Sequence, residues 1–207
     1  MPARGTATNR GTASGRLTAS GRLQASNRQY VDGGGSGDDL ALIQEQILSG
    51  GEASVTFAAI PGTYRHLQCF FTCRTSDATI RHLKTQFNGD TGANYDYQYI
   101  YSAGASPAAE NGNGAVSIQC AFVNPSGAPA NSKAFGVITF PYYADIVHGK
   151  GLVSQTISQT TGDGTGTFNV VGSGQWATAN AAITSIVFSL TAGNFVAGDS
   201  FSLYGIT

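Results

Sequence analysis

From residue 54 to the end, short runs with an apolar residue at every second position alternate with brief clusters of Gly, Asn, Asp, Pro and Thr. This cadence constrains the fold more than any other feature of the chain. A period of two belongs to strands and a period of 3.6 to helices, and runs of five to ten residues between turn formers leave no room for a helix of useful length. Strands are expected over Ser54–Ile60, His66–Thr75, Ala78–Phe87, Tyr95–Tyr101, Val116–Val123, Ala134–Tyr143, Gly151–Thr160, Thr167–Val171, Ile183–Leu190 and Phe201–Ile206. The turns between them include PGT, NGDTG, NPSGAP, TGDGTG and TAGN, all rich in residues that tolerate tight backbone geometry. About ten short strands so punctuated predict an all-β, antiparallel β-sandwich of jelly-roll-like type.

Two of these strands show what their faces do. Ile186, Phe188 and Leu190 share one side, opposite Ser185, Val187 and Ser189; Phe201, Leu203 and Gly205 oppose Ser202, Tyr204 and Ile206. Strands with something apolar on both sides suit an inner sheet or a contact between subunits. Asp39–Ser49 fits either period, with Leu40, Ile43 and Ile47 at helical spacing and Leu40, Leu42 and Leu48 on one strand face. The Ser49-Gly50-Gly51 turn that follows favours a hairpin with the strand from Ser54.

The first thirty residues are a different object. From Arg4 they read RGTATN, RGTASG, RLTASG, RLQASN and RQY, with Arg4, Arg10, Arg16, Arg22 and Arg28 six apart. An even spacing places every arginine on one side of an extended strand, and Gly, Thr, Ser and Asn are poor helix formers. Ala with Leu17 and Leu23 gives too little burial to offset chain entropy, so this arm either stays a disordered linker or is ordered by other chains. Small residues on one side let backbones approach closely, which fits an anchoring role for the arm, with the five arginines, Leu17 and Leu23 as its contact residues. The chain therefore divides into an arm (1–31), a glycine-rich linker (32–38) and a sandwich domain (39–207).

Charge follows the same division. Residues 1–30 hold five arginines and no acid, while the remainder holds 6 basic and 12 acidic residues, within a formal net charge of −1. Only 11% of residues are charged, yet 41% are hydrophobic, which supports a buried core rather than wholesale disorder. A surface with so few charges suits one covered by neighbouring subunits. One arginine per ~20 Å of extended chain is too sparse to track a duplex with a charge every ~1.7 Å, so nucleic acid is not an expected partner. No apolar run approaches the ~18 residues of a membrane span, and the N-terminal MPARGTATNRG lacks the apolar stretch of a secretory leader.

Chemistry-bearing motifs are few. His66, His82 and His148 are scattered, with His66 and His82 expected on adjacent strands, and no G-x-S-x-G, H-E-x-x-H or P-loop is present. Catalytic residues and cofactors are expected to be none. A carbohydrate-active enzyme would need two carboxylates ~5–9.5 Å apart, which 12 acidic residues leave open. Asn88, Asp90, Asn94 and Asp96 offer four oxygen side chains around a glycine turn; a hard cation favours such donors, but so does an ordinary Asx turn, and no metal is expected. Cys69 and Cys73 stand about 13 Å apart on a strand, too far to bridge, and with Cys120 they read as buried free thiols. Tyr95, Tyr97, Tyr99 and Tyr101 alternate on one side of a strand, opposite Asp96, Gln98 and Ile100. That stripe can face the core, a subunit interface or a glycan. Trp176 is open to the same choice, with packing favoured.

Three blocks resemble one another's counterparts in a known family. IPGTYRHLQ (60–68), FNGDTGANYDYQY (87–99) and the closing AAITSIVFSLTAGNFVAGDSFSLYGI (181–206) resemble small phage and prophage virion proteins of the structural, tail or fibre kind. The likeness runs over residues 40–207 and leaves the arm out. It implies a virion component with a β-sandwich head, often a homotrimer, bound to capsid or tail proteins, located on the particle and without a catalytic residue. It leaves open whether the place is a head decoration, a head fibre, a tail fibre or the baseplate. Association would proceed by strand addition and by burial of low-charge faces. A receptor-binding module for a host surface glycan is the alternative, and a carbohydrate-active enzyme the second alternative.

Overall fold

The computed structural model describes residues 40–160, 166–177 and 180–207. The arm, the linker and the hexad arginines lie outside these residues. Twelve strands run in chain order: β1 (Leu40–Ile47), β2 (Ser54–Phe57), β3 (His66–Cys73), β4 (Arg81–Phe87), β5 (Tyr95–Ala103), β6 (Ser106–Ala115), β7 (Ile118–Val123), β8 (Ala134–Pro141), β9 (Lys150–Gln159), β10 (Thr167–Trp176), β11 (Ile186–Leu190) and β12 (Ser200–Ile206). They form a β-sandwich. A large sheet has the order β1-β12-β3-β8-β9-β10-β5-β6, and a small sheet the order β2-β11-β4-β7, with neighbouring strands antiparallel in both. No helix occurs among the described residues.

The core lies where the small sheet covers the large one. Phe57, Leu83, Phe87, Ile186 and Phe188 point inward from the small sheet and meet Leu67, Phe71, Ile138, Phe140, Phe201 and Leu203 from the large one. Phe188 stacks on Phe201 across the gap, with ring centroids 5.4 Å apart. Each such side chain contributes about 1.5–3 kcal/mol on burial. A satellite cluster of Tyr99, Phe122 and Val170 fills the end under β5 and β10. Gly174 of β10 meets Ile118 of β7 so closely that any Cβ there would collide with the isoleucine. Asp199 is fully buried where β12 begins: Oδ2 accepts from the backbone N–H groups of Arg74 and Val196, and Oδ1 pairs with Lys133 Nζ at 2.8 Å.

Cys69, Cys73 and Cys120 are all buried and free. Burial is the main cause that pushes each thiol up, Cys120 to about 12, so none is a thiolate at neutral pH.

Two expectations need correction, and one strand has no counterpart among the expected ones. The residues after Asp39 do not form a hairpin with the strand from Ser54: β1 pairs with β12 in the large sheet and β2 with β11 in the small one. The Ser49–Ala53 link crosses between layers, and Gln46 Nε2 spans the same gap to the Thr56 carbonyl at 2.6 Å. His66 and His82 are not on adjacent strands, because β3 and β4 belong to different sheets. Finally, β6 was not expected, since SPAAENGNGA lacks apolar alternation; it is an edge strand held by its backbone ladder to β5, with nearly all side chains in water.

Candidate functional site

The small sheet has half as many strands as the large one, and among the described residues no element packs on the large sheet's other side. Strand pairing fixes which residues share that outer side. One row crosses the sheet as Ser202, Phe70, Val137, Gln155, Val171 and Ile100. A second row runs Tyr204, Gln68, Thr139, Val153, Ser173 and Gln98, and a third Ser200, Thr72, Phe135, Ile157, Asn169 and Ser102. The outward positions of β12, β3, β8, β9 and β10 contain no Asp, Glu, Lys or Arg. Charge enters only toward the margins, with Glu45 on β1, which accepts from Ser202 Oγ at 2.9 Å, and Asp96 on β5, which accepts from Gly114 N–H.

The face is apolar as well as neutral. Twelve large apolar side chains stand exposed among the described residues, and eight of them lie here: Leu40, Leu42, Ile47, Phe70, Ile100, Phe135, Val153 and Val171. Two shallow troughs, of about 630 and 440 Å³, are cut into it and meet at Val137 and Gln155. Glutamine amides and Ser or Thr hydroxyls line the first; Phe70 and Phe135 border the second. Neutral hydrogen-bonding groups set among valine and phenylalanine can be desolvated far more cheaply than ions. Seven strands at ~4.8 Å by six residues at ~3.3 Å give roughly 650 Å², close to the ~800 Å² each partner contributes to a standard interface.

The tyrosine stripe faces the opposite way. Tyr95 and Tyr99 are buried, Tyr97 and Tyr101 half-buried, and Asp96, Gln98 and Ile100 lie outward. Of the readings left open for the stripe, the core-facing one is where the structure places Tyr95, Tyr99 and Trp176. Tyr97 packs over Gly112 of β6, where a Cβ would come within 2.5 Å of the ring. Tyr95 donates to the Asp90 carbonyl and receives the Phe87 N–H, each at 3.0 Å, and Trp176 stacks on it at 6.3 Å. Trp176 is therefore no exposed sugar platform. Its Nε1–H donates to Asp90 Oδ2 at 2.6 Å.

That bond, with those from Asn94 and Gly92, holds the Asp90 carboxyl below the usual carboxylate range. Three of the four side chains of the Asn88–Asp96 turn accept hydrogen bonds through their oxygens, and the fourth, Asn94, donates to Asp90. Asp90 takes Trp176, Asn94 and Gly92; Asn88 Oδ1 takes Thr184 and Ser185; Asp96 takes Gly114. They do not converge on a point, and no group of three or more acidic, His or Cys side chains with metal-ligand geometry occurs among the described residues.

One polar network joins the stripe to the edge strand. Glu110 of β6 accepts from Tyr99 at 2.6 Å and from Tyr101 at 3.3 Å, and Tyr99 Oη lies 3.2 Å from His82 Nε2. Burial and the nearby carboxylate raise the Tyr99 phenol, and burial lowers His82. These groups tie β5, β6 and β4 together as neutral hydrogen-bond partners around one carboxylate.

The outward residues of β8, β9 and β10 escaped residue-level notice in the sequence. The signal was there: apolar residues on both sides of a strand, the same pattern that Val187 and Ile206 display. The proposed anchoring residues Arg4, Arg10, Arg16, Arg22, Arg28, Leu17 and Leu23 lie outside the described residues. No family model matches the chain, and neither a curated protein nor a solved structure matches it.

Proposed function

We propose that this chain is a non-enzymatic structural protein of a bacteriophage particle, a head-decoration, head-fibre or tail-fibre component. In this reading the arm (1–31) anchors it to capsid or tail proteins and the sandwich domain is a knob. The observation that carries the proposal is the neutral, apolar outer face of the large sheet, and its occupant is further copies of the same chain. In a homo-oligomer, residues near the symmetry axis meet their own copies, so any charge there faces a like charge; five adjacent strands without one are what self-packing requires. The area available is that of a stable interface, and homo-oligomeric interfaces are the more apolar kind. The three sequence blocks that resemble virion proteins supply the particle, and their implied homotrimer supplies the copy number.

Sedimentation equilibrium of the full-length chain tests the oligomer: a mass three times that of one chain is expected at micromolar concentration. A strict monomer, together with absence of the chain from purified particles by mass spectrometry, overturns the proposal. A map of a particle that contains it would locate it on head or tail.

A further inference from the structure

A second cluster stands at one end of the sandwich, where β3 begins, β8 ends and β9 begins. It gathers Arg65, His66, Tyr142, Asp145, His148 and Lys150. Tyr142 is its centre. Its φ is +48°, a left-handed conformation that is strained for a bulky side chain. Core burial does not offset that cost, since 46% of the residue is exposed. Glycine would satisfy the backbone, so the ring itself needs a reason.

Its neighbours hold it in place. Tyr142 N–H donates to His66 Nδ1 at 3.1 Å, and the two rings meet edge to face at 4.7 Å. Arg65 sits with its guanidinium carbon 5.4 Å from the ring centroid and Nη2 donating to the phenol oxygen at 3.4 Å. The His148 ring is 6.3 Å away. Because His66 Nδ1 accepts, the ring proton is on Nε2, which has no hydrogen-bond partner among the described residues.

The charges here are unequal. Asp145 is occupied within its own loop, Oδ1 by Val147 N–H and Oδ2 by His148 Nδ1, each at 2.6 Å. Lys150, itself buried, donates to the His148 carbonyl. Arg65 has no carboxylate within ion-pair distance among the described residues. So in a domain where acids outnumber bases, a guanidinium lies unpaired beside two imidazoles and an exposed aromatic ring. Ile146 and Val147, the adjoining loop tip, are 64% and 75% exposed.

We propose that this end of the sandwich binds an acidic sugar unit, a pyranose that bears a carboxylate. The Tyr142 ring presents an apolar face for the C–H side of the sugar, and Arg65 with His66 Nε2–H takes the carboxylate as a charge-assisted pair. A bare phosphate would make use of Arg65 and the His66 N–H but leave the strained aromatic ring and the apolar tip without purpose. The site stands on a single chain and is independent of the assembly reading.

Calorimetric titration of the full-length protein tests it with tetragalacturonate, oligosialic acid, neutral galacto-oligosaccharide of equal length and sodium phosphate. At least one acidic oligosaccharide is expected to bind ten-fold or more tightly than both the neutral one and phosphate. Arg65→Gln should remove that preference, and Tyr142→Gly should abolish binding with an unchanged or raised Tm, while Tyr142→Phe retains most of it. Equal binding of acidic and neutral sugars, phosphate as good as either, no binding of any acidic member, or full binding by Tyr142→Gly would each overturn the proposal. If Tyr142→Gly fails to fold, the ring is structural and the proposal falls unless Arg65→Gln, folded, loses the preference.

Discussion

The outer sides of the two sheets have the same pleat and opposite chemistry. On the small sheet the rows read Thr56, Val187, Gln86 and Ser54, Ser189, Lys84, Gln119. Hydroxyls, amides and a lysine dominate, as expected for an antiparallel sheet with one side in water. On the large sheet the matching row reads Ser202, Phe70, Val137, Gln155, Val171, Ile100. Both sheets present inner sides of similar apolar character to the shared core. Folding alone thus accounts for three of the four sheet surfaces. The fourth has the composition of a buried side yet is not covered by any of the described residues, and that mismatch is the functional information.

The sharpest way to break this contrast is to place the same charge on both outer sides. Val137→Glu should weaken self-association at least a hundred-fold, about 3 kcal/mol, because each copy brings a like charge to a desolvated contact. Val187→Glu should leave association unchanged. Sedimentation equilibrium reads both, and equal behaviour of the two variants would remove the distinction between the sheets.

Next in size is the approach of the two layers. Gly174→Val drives a side chain into Ile118, so the sheets must separate, with an expected loss of about 1–3 kcal/mol in urea unfolding. Gly127→Ala, at a position with no atom within 4 Å of the added carbon, should stay within about 0.5 kcal/mol.

A smaller effect concerns Trp176. Trp176→Phe keeps an aromatic ring beside Tyr95 but removes the N–H that is the largest cause of Asp90's lowered pKa. A carboxyl whose folded value lies below its unfolded one stabilises above the ordinary aspartate value of 3.8 and loses that contribution as pH falls through the lowered value. Thermal melts should therefore show the variant less stable than the parent at pH 6, with the gap narrowing toward pH 2. A gap that stays constant across that range would show that Asp90 is not involved.

The smallest change should go the other way. Ser154, Thr156 and Ser158 point inward from β9, buried, and their hydroxyls meet no hydrogen-bond partner among the described residues. Thr156→Val removes one such hydroxyl and should be neutral or raise stability by up to about 1 kcal/mol in the same urea assay. A marked loss would mean that the hydroxyl is satisfied in solution.

The sandwich was legible because alternation and turn residues are local signals; β11 and β12 read as strands directly from Ile186, Phe188, Leu190, Phe201 and Leu203. Pairing is not local. Nothing in LALIQEQI says that its partner is the last strand of the chain, so the adjacent glycine turn pointed to a hairpin instead. β6 was invisible for a different reason: an edge strand held by backbone hydrogen bonds needs no side-chain pattern, and Asn and Gly signal turns. The tyrosines showed alternation but not direction, since Ile100 and Gln98 opposite them are also plausible inward residues. The Tyr142 cluster needed the fold, because residues 65–66 and 142–150 come together only through the β3–β8 pairing.

The rim strands of the large sheet set a limit on growth. β1 has a register shift between Leu42 and Gln44, and β6 carries Pro107 and Glu110 opposite a strand with its own irregularity between Tyr95 and Tyr97. Kinks, a missing amide donor and a charge are the devices by which natural sheets refuse lateral extension into ribbons. With sideways propagation discouraged, copies joined as proposed above would meet broadside, and a stack around a closed axis stops at a fixed number. An assembly built that way would close on itself rather than run on into filaments.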